Sequence, residues 1–342
     1  MSDLNPSMQE TPKKIAVVIL NWNGQFLLEK FLPSVISYSD DATIYVADNA
    51  SSDDSIHFLK RDYPTVKIIQ NAKNYGFAKG YNEALKQVPE DILVLLNSDV
   101  EVTPNWLQPA LDIFERSPQT AAVQPKILDY KNKSMFEYAG AAGGFIDSFG
   151  YPFCRGRVFS TIEKDEGQYD DERDIFWASG ACFFIRKAVF DQVGGFDEDF
   201  FAHQEEIDLC WRLHNLGVSV KFTPFSVVYH VGGATLNDQN PQKTYLNFRN
   251  SLYMLLKNLP INKIFPIILG RLMLDGLAGI KFLFQGQFFH LAAIVKAHFS
   301  FYSNCRHIYS KRAENQSPMY SHISSIVSKY YLQSRKTYSS LF

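Results

Sequence analysis

Apolar and polar positions follow one another in blocks over the first hundred residues. Residues 13–20 read KKIAVVIL, a continuous apolar run opening behind two lysines, as in a strand buried on both faces of a parallel sheet. It ends in the turn Asn21-Trp22-Asn23-Gly24, and residues 25–38 then place apolar side chains at helical spacing. The succession repeats with a strand over 43–47 ending at Asp48-Asn49, a helix to Arg61 capped by Ser51-Ser52-Asp53-Asp54, a strand over 66–70, a helix over 78–88 and a strand over 92–96. This βαβαβαβ order predicts a parallel α/β sheet of the nucleotide-binding kind. Thr103-Pro104 reads as a helix start with proline in first position, predicting a helix to about Arg116. Over 121–176 the signals weaken, and glycines at 140, 143, 144, 150 and 156 with a charged stretch at 163–174 predict short strands and an exposed loop. A strand-like run over 177–186, a helix over 205–215 stopped by Gly217, and two closing strands over 218–223 and 226–230 complete this part.

Helical spacing takes over at 245–259 and, past Pro266, from 267 to about 301, rich in Phe, Leu and Ile. The longest uncharged run there, 282–295, has 14 residues, short of the ~20 needed to cross a bilayer. Residues 313–342 are Ser- and Tyr-rich, which predicts poor order apart from a short helix near 323–332. The chain thus divides into a polar tail at 1–12, an α/β domain at 13–240, a basic and apolar helical region at 241–312 and a polar tail at 313–342.

With 342 residues, 46% hydrophobic and only 20% charged, the chain can bury a large core, which excludes wholesale disorder. The net charge of −2 conceals a division: residues 241–342 hold 13 Lys/Arg and 2 Asp/Glu, and the remainder holds 21 and 34. An acidic body carries a basic tail region. Hydrophobic length too short to span, joined to a basic excess, is what an interfacial helix or hairpin needs to lie on an anionic membrane surface. The alternative is a helical pair packed on the α/β domain or on another subunit. No nucleic-acid partner is expected. Cys154, Cys182, Cys210 and Cys305 form no CxxC pair and read as reduced core thiols. The polar opening MSDLNPSMQETPKK has no hydrophobic signal core, so the expected place is cytoplasmic, peripheral on the inner face of the cell membrane.

In an open α/β sheet, ligands bind outside the carboxyl ends of the strands. Asp48-Asn49 and Asn97-Ser98-Asp99 stand there. Asp48 is suited to accept hydrogen bonds from a base N–H or a ribose hydroxyl, and Asp99 to hold a divalent cation against a diphosphate. The competing reading makes each Asp a cap of the following helix.

Taken together, Asp48-Asn49-Ala50-Ser51-Ser52-Asp53, Asn71-x-x-Asn74-x-Gly76-Phe77-Ala78-x-Gly80-x-Asn82, Asn97-Ser98-Asp99 and Gly194-Gly195-Phe196-Asp197 followed by Glu205-Glu206-x-Asp208-Leu209 resemble family 2 glycosyltransferases, in particular their rhamnosyltransferase-type members. The resemblance spans about residues 15–236. It implies the GT-A nucleotide-diphospho-sugar transferase fold, a Rossmann-like mixed sheet flanked by helices, here with a C-terminal helical extension. It assigns donor binding to Asn21, Asp48, Asn74, Gly76, Gly80, Asn82, Asn97, Ser98 and Asp99. Asp99 is the metal-facing acid of a DxD element whose first Asp is here Asn97, and His230 matches a position that often supplies a further ligand for magnesium or manganese. The family's Glu-Asp pair appears as Glu205-Glu206, with Glu206 as catalytic base and Glu205 as the alternative. Trp177, Gly180 and Asp197 fall where the family places the acceptor site; for Trp177 a core tryptophan on a buried strand is the equal alternative.

A sugar hydroxyl is a poor nucleophile at neutral pH, so a carboxylate must take its proton as the oxygen attacks the anomeric carbon. With base and leaving group on opposite faces, direct displacement inverts that centre. The expected activity is therefore an inverting, metal-dependent transfer of one sugar from a nucleotide-diphosphate donor, dTDP-rhamnose or a UDP-hexose, to a saccharide or lipid-linked saccharide acceptor in cell-surface polysaccharide synthesis. The processive signature Gln-x-x-Arg-Trp is missing after His230, where Thr244-Tyr-Leu-Asn-Phe-Arg249-Asn250 stands instead. A catalytically silent nucleotide- or sugar-binding scaffold at the membrane is the rival, motivated by Asn97 and Glu206 in place of aspartates.

Overall fold

A computed structural model describes residues 13–232, 240–317 and 320–342. The leading apolar runs become β1 (Ile15–Asn21), β2 (Ala42–Asp48), β3 (Lys67–Gln70) and β4 (Ile92–Asn97), separated by helices α1 (Gln25–Ser37), α2 (Ser55–Asp62) and α3 (Gly76–Leu85). They pair in parallel in the order β3-β2-β1-β4. β1 and β4 are buried along nearly their whole length, which is why they read as continuous rather than alternating runs. Register puts Asn21 beside Asp48 and Leu20 beside Asn97, so three polar residues line one edge.

Next come β5 (Val100–Val102), α4 (Gln108–Arg116) and β6 (Thr120–Asp129). α4 starts at Gln108 and not at Thr103, because Asn105 takes a left-handed backbone with φ of 60°, which no helix propagates through. Across 121–176, where weak signals suggested only short strands, β6 is a ten-residue strand buried almost throughout. The glycine-rich stretch folds as a small antiparallel sheet of β7 (Gly144–Ile146), β8 (Pro152–Cys154), β9 (Arg157–Val158) and β10 (Thr161–Ile162). Then follow β11 (Arg173–Ile175), β12 (Cys182–Arg186), α5 (Lys187–Gln192), α6 (Glu205–Asn215) and β13 (Ser219–His230). The two closing strands expected over 218–230 are one strand, irregular between Thr223 and Val227, where Pro224 cannot donate to the ladder. The mixed main sheet runs β11-β13-β6-β12-β4-β1-β2-β3, with β5 on β13.

The basic region forms α7 (Pro241–Asn258), α8 (Ile261–Phe284) and α9 (Phe288–Ser310). Pro266, read as a boundary, lies inside α8, where it removes one backbone bond without ending the helix. The chain reverses at Gly286, with φ of 71°; its N–H bonds the Leu283 carbonyl and that of Gln287 the Phe282 carbonyl, a helix end that favours glycine. α7 packs on α6 and α9. The α8–α9 hairpin leaves Ile261, Phe265, Leu269, Met273, Leu277, Ile280 and Phe284 exposed at helical spacing, continued by Phe288, Phe289 and Phe299. Among the described residues no helix is long and apolar enough to cross a membrane.

The C-terminal segment, read as a poorly ordered tail, is packed: Tyr320, Ile323, Ile326, Tyr330, Tyr338 and Leu341 belong to the core that holds β7 and β8. Tyr320 Oη donates to the Ser148 carbonyl (2.9 Å), Tyr330 Oη bonds Thr161 Oγ1 (2.8 Å), and Asp147 Oδ2 accepts from the Ile326 N–H (2.9 Å). Tyrosine buries its ring while its hydroxyl finds a partner.

Candidate active site

The edge at the carboxyl ends of β1, β2 and β4 is built by short amides that fold the loops over the strand ends. Asp48, nearly fully buried, accepts from Asn21 Nδ2 on Oδ1 (3.2 Å) and from the Ser51 N–H on Oδ2 (2.9 Å). An ionised carboxylate accepts further hydrogen bonds, so these two leave capacity for a ligand N–H or hydroxyl. Asn49 is a hub: Nδ2 donates to Asn74 Oδ1 and to the Gly76 carbonyl, both at 3.0 Å, and Oδ1 accepts from Asn71 Nδ2 (3.1 Å). Asn74 also accepts from the Gly76 N–H (2.9 Å). Gly76 has φ of 75°, and a Cβ there would lie 2.7 Å from the Phe201 ring, so only glycine fits this close approach. Gly80 lets α3 settle on Leu20, whose methyl carbons would lie 3.2 Å from an added Cβ.

A second cluster forms where β4 gives way to β5. Asp99 Oδ1 lies 3.1 Å from His230 Nε2, and Glu137 Oε1 lies 3.3 Å from His230 Nδ1. Asn97 Nδ2 is 3.4 Å from His230 Nε2, and Ser98 sits half-buried between Asn97 and Asp99. Burial alone would lower the His230 pKa, but Glu137 and Asp99 outweigh it and push it up to about 10. Burial likewise opposes the Asp99 charge, and His230 outweighs it, holding that carboxyl below its ordinary value. The pocket thus favours positive charge between carboxylates. With the His230 proton displaced, one carboxylate and one imidazole would suit a divalent cation that takes its remaining ligands from phosphates and water. Among the described residues no group of three or more acidic, His or Cys side chains is arranged to hold a metal alone. Glu137 escaped the sequence reading because it lies in the stretch where periodicity is weakest, and its neighbours carry no motif.

The third part is the N-terminus of α6. Glu205 is buried and Glu206 half-buried; the Oε2 atom of each is enclosed with no hydrogen bond among the described residues. Burial pushes Glu206 up to about 7. Glu205 is driven well above the ordinary range by burial and then by repulsion from Glu206. Two adjacent carboxyls that cannot both ionise cheaply keep a proton between them near neutrality, a condition suited to general-base work. Cys154 ties this part to the second cluster: burial pushes its thiol up to about 11, with Glu137 and Glu206 both adding to the effect.

Other residues picked from the sequence have different surroundings. The Asn82 amide is committed at both ends to Phe196, donating to its carbonyl (2.8 Å) and accepting from its N–H (3.0 Å). Trp177 is 2% exposed, donates Nε1–H to the Phe145 carbonyl (2.9 Å) and lies over Gly144, so of its two readings the core one describes it. Gly180 faces the Phe77 ring. Asp197 is paired with Lys257 (2.7 Å) and Lys311 (2.6 Å), an anchor between the loop before α6 and the C-terminal helices.

The sequence model described as "Glycosyl transferase family 2" matches residues 16–194. The N-acetylglucosaminyl-diphospho-decaprenol L-rhamnosyltransferase of Mycobacterium tuberculosis is 29% identical over 233 residues, 63% of this chain and 75% of that protein. Rhamnosyltransferase WbbL of Escherichia coli is 24% identical over 215 residues, 61% and 80% of the two chains. Among solved structures, GalNAc-T7 with UDP, GalNAc and Mn2+ superposes with a TM-score of 0.59 at 16% identity, over 74% of this chain and 49% of that one. The mannosyltransferase PcManGT from Pyrobaculum calidifontis, with GDP-Man and Mn2+, gives 0.52 at 13% identity, over 87% and 76%. These likenesses speak to the fold, a mixed sheet flanked by helices.

Proposed function

The chain belongs to glycosyl transferase family 2, and from that premise we propose that it is an inverting, metal-dependent transferase that moves one sugar, rhamnose from dTDP-rhamnose or a hexose from its UDP form, to a saccharide or lipid-linked saccharide. The observation that carries the reading is the sheet edge that holds Asp48 and the Asp99–His230 pair, together with the Glu206 carboxyl in the first turn of α6, one oxygen of which is enclosed without a hydrogen bond among the described residues. Relatives named as rhamnosyltransferases support rhamnose as the sugar.

In this reading Asp48 accepts from the base or ribose of the donor, and the loop ordered by Asn49 and Asn74 shapes the walls around it. Asp99 and His230 would hold a magnesium or manganese ion, which supplies charge neutralisation to the departing diphosphate. Glu206, ionised above about pH 7, takes the proton from the acceptor hydroxyl, and Glu205 keeps its own proton beside it. Base and leaving group lie on opposite faces of the sugar, which inverts the anomeric carbon. Calorimetry with dTDP, UDP and GDP, with and without manganese, tests the donor half. We expect metal-dependent binding of one nucleotide, weakened at least about tenfold in Asp99→Ala, consistent with a lost metal ligand. Binding of none under either condition overturns the transferase reading.

The α8–α9 hairpin rests, in the same reading, on an anionic lipid surface, on the cytoplasmic face of the cell membrane. Its apolar stripe ends at the turn in Phe284 (85% exposed) and Phe289 (80%), and Lys281, Lys296 and Arg306 stand exposed on the same two helices. Apolar area with a basic excess is what holds an interfacial element. The double variant Phe284→Ser, Phe289→Ser should sediment with phosphatidylglycerol vesicles at least about tenfold less than wild type, two buried rings each being worth ~1.5–3 kcal/mol. Equal sedimentation of the two proteins overturns this part.

A further inference from the structure

The segment leading into the catalytic helix follows a backbone path that side-chain-bearing residues rarely take. Phe201, His203 and Gln204 have φ of 64°, 70° and 71°. Such a run persists only where its surroundings enforce it. Here the enforcement comes from α7. Asn250, fully buried, points Nδ2 at the carbonyl oxygens of Phe200 (3.0 Å), Ala202 (2.9 Å) and His203 (2.7 Å). The amide is locked in that sense because its Oδ1 accepts from Arg249 Nε (2.9 Å). Arg249 Nη2 donates to the carbonyls of Asp199 (2.9 Å) and Phe200 (3.1 Å). The remaining carbonyl of the stretch, that of Phe201, turns the other way and accepts from the N–H groups of Phe77 (2.9 Å) and Ala78 (3.4 Å) at the start of α3. The loop is therefore gripped between α7 and the donor-side helix, and its last left-handed residue, Gln204, immediately precedes Glu205 and Glu206.

We propose that Asn250 and Arg249 are positioning residues for the transfer reaction: they hold the strained loop 199–204 so that the first turn of α6 aims Glu206 at the acceptor hydroxyl. This rests on the transferase reading. The stretch Thr244-Tyr-Leu-Asn-Phe-Arg249-Asn250 thereby has a task of its own, as the frame from which the base is presented. An asparagine is needed because a neutral amide offers donors on one side and an acceptor on the other, and four contacts, three to the loop and one from Arg249, use both. Released from it, the loop relaxes toward ordinary backbone and carries the carboxylates with it. Displacement of a reacting group by roughly 1 Å costs about 100-fold in rate.

Asn250→Asp keeps the shape and turns an oxygen toward three carbonyls; Arg249→Met keeps the helix and removes the lock. We expect kcat to fall about 100-fold in the first and about tenfold in the second, with KM for the donor and calorimetric affinity for dTDP or UDP within about threefold of wild type. Amide hydrogen exchange of 199–206 should rise in both full-length variants while β1–β4 keep their protection. A role confined to stability predicts instead unchanged kcat per folded molecule, or exchange rising across the whole domain, and either result overturns the inference. If the wild type transfers no sugar, the transferase reading fails on its own evidence, and exchange then decides alone: protection of 199–206 unchanged in Asn250→Asp overturns the positioning claim.

Discussion

Glu206→Gln is expected to lower the kcat of sugar transfer by about 100- to 10,000-fold, the range for loss of a general base, with nucleotide affinity within about threefold of wild type. The amide keeps the shape of the side chain and removes its ability to take a proton. In the wild type kcat should rise with pH through a midpoint near 7, where burial has placed this carboxyl. Stability should run the other way. The folded protein holds a proton on Glu206 more tightly than an ordinary glutamate, at 4.5, does, so the associated stability is present below that ordinary value and is lost as pH rises through about 7. The glutamine variant has no such proton to lose and should exceed wild type in urea resistance at pH 8 while matching it at pH 4. A variant keeping more than about a tenth of wild-type kcat would remove Glu206 from its role and direct attention to Glu205.

Lys257→Met is expected to cost ~3–5 kcal/mol at pH 7, the usual consequence of removing one partner from a buried ionic cluster. The ammonium lies 2.7 Å from Asp197 and 2.8 Å from Asp208, and all three side chains are buried. Asp208 also accepts from Arg212 Nε (2.8 Å) and Asn258 Nδ2 (2.8 Å). Burial works to raise both carboxyls, yet Lys257, joined by Lys311 at Asp197 and by Arg212 at Asp208, outweighs it and both are held below their ordinary value. Depressed carboxylates contribute stability that is present above about pH 4 and lost as pH falls below it. The deficit of the methionine variant should therefore be largest at neutral pH and shrink as pH falls below about 4, where the unfolded chain takes up protons that the folded pair still refuses. Equal urea midpoints at pH 7 would show that the cluster contributes nothing net.

What the chain disclosed by itself depended on how each residue meets solvent. β1 to β4 were legible because a strand buried on both faces has no choice but a continuous apolar run, and Asp48 and Asp99 stood out as the polar residues that end such runs. Asn82 and Trp177 were legible as unusual residues, yet their partners are backbone groups of Phe196 and Phe145, 114 and 32 positions away, and nothing in local spacing encodes such partners. Glu137 and Asn250 were passed over for the same reason: each acts on a group distant in sequence, His230 or the loop at 200–203. The C-terminal segment misled because Ser and Tyr count as polar, whereas here Tyr320, Tyr330 and Tyr338 bury their rings against the small sheet. Asn105 and Pro224 displaced boundaries through backbone conformation and a missing donor, effects of single residues that periodicity averages away.

The cover of the small sheet has a consequence for how the protein is made. Tyr330 bonds Ser160 across 170 positions of sequence, and at ~5–20 residues per second a ribosome needs roughly 10–30 s to deliver one after the other. During that interval β1 to β4 can already pair through contacts much nearer in the chain, while Phe145, Phe153 and Phe159, which later stack on Tyr338 and Tyr330, wait without those rings. The nascent chain therefore passes through a stage with a paired parallel sheet and an open aromatic surface, the kind of surface that chaperones bind and that drives aggregation when synthesis is fast.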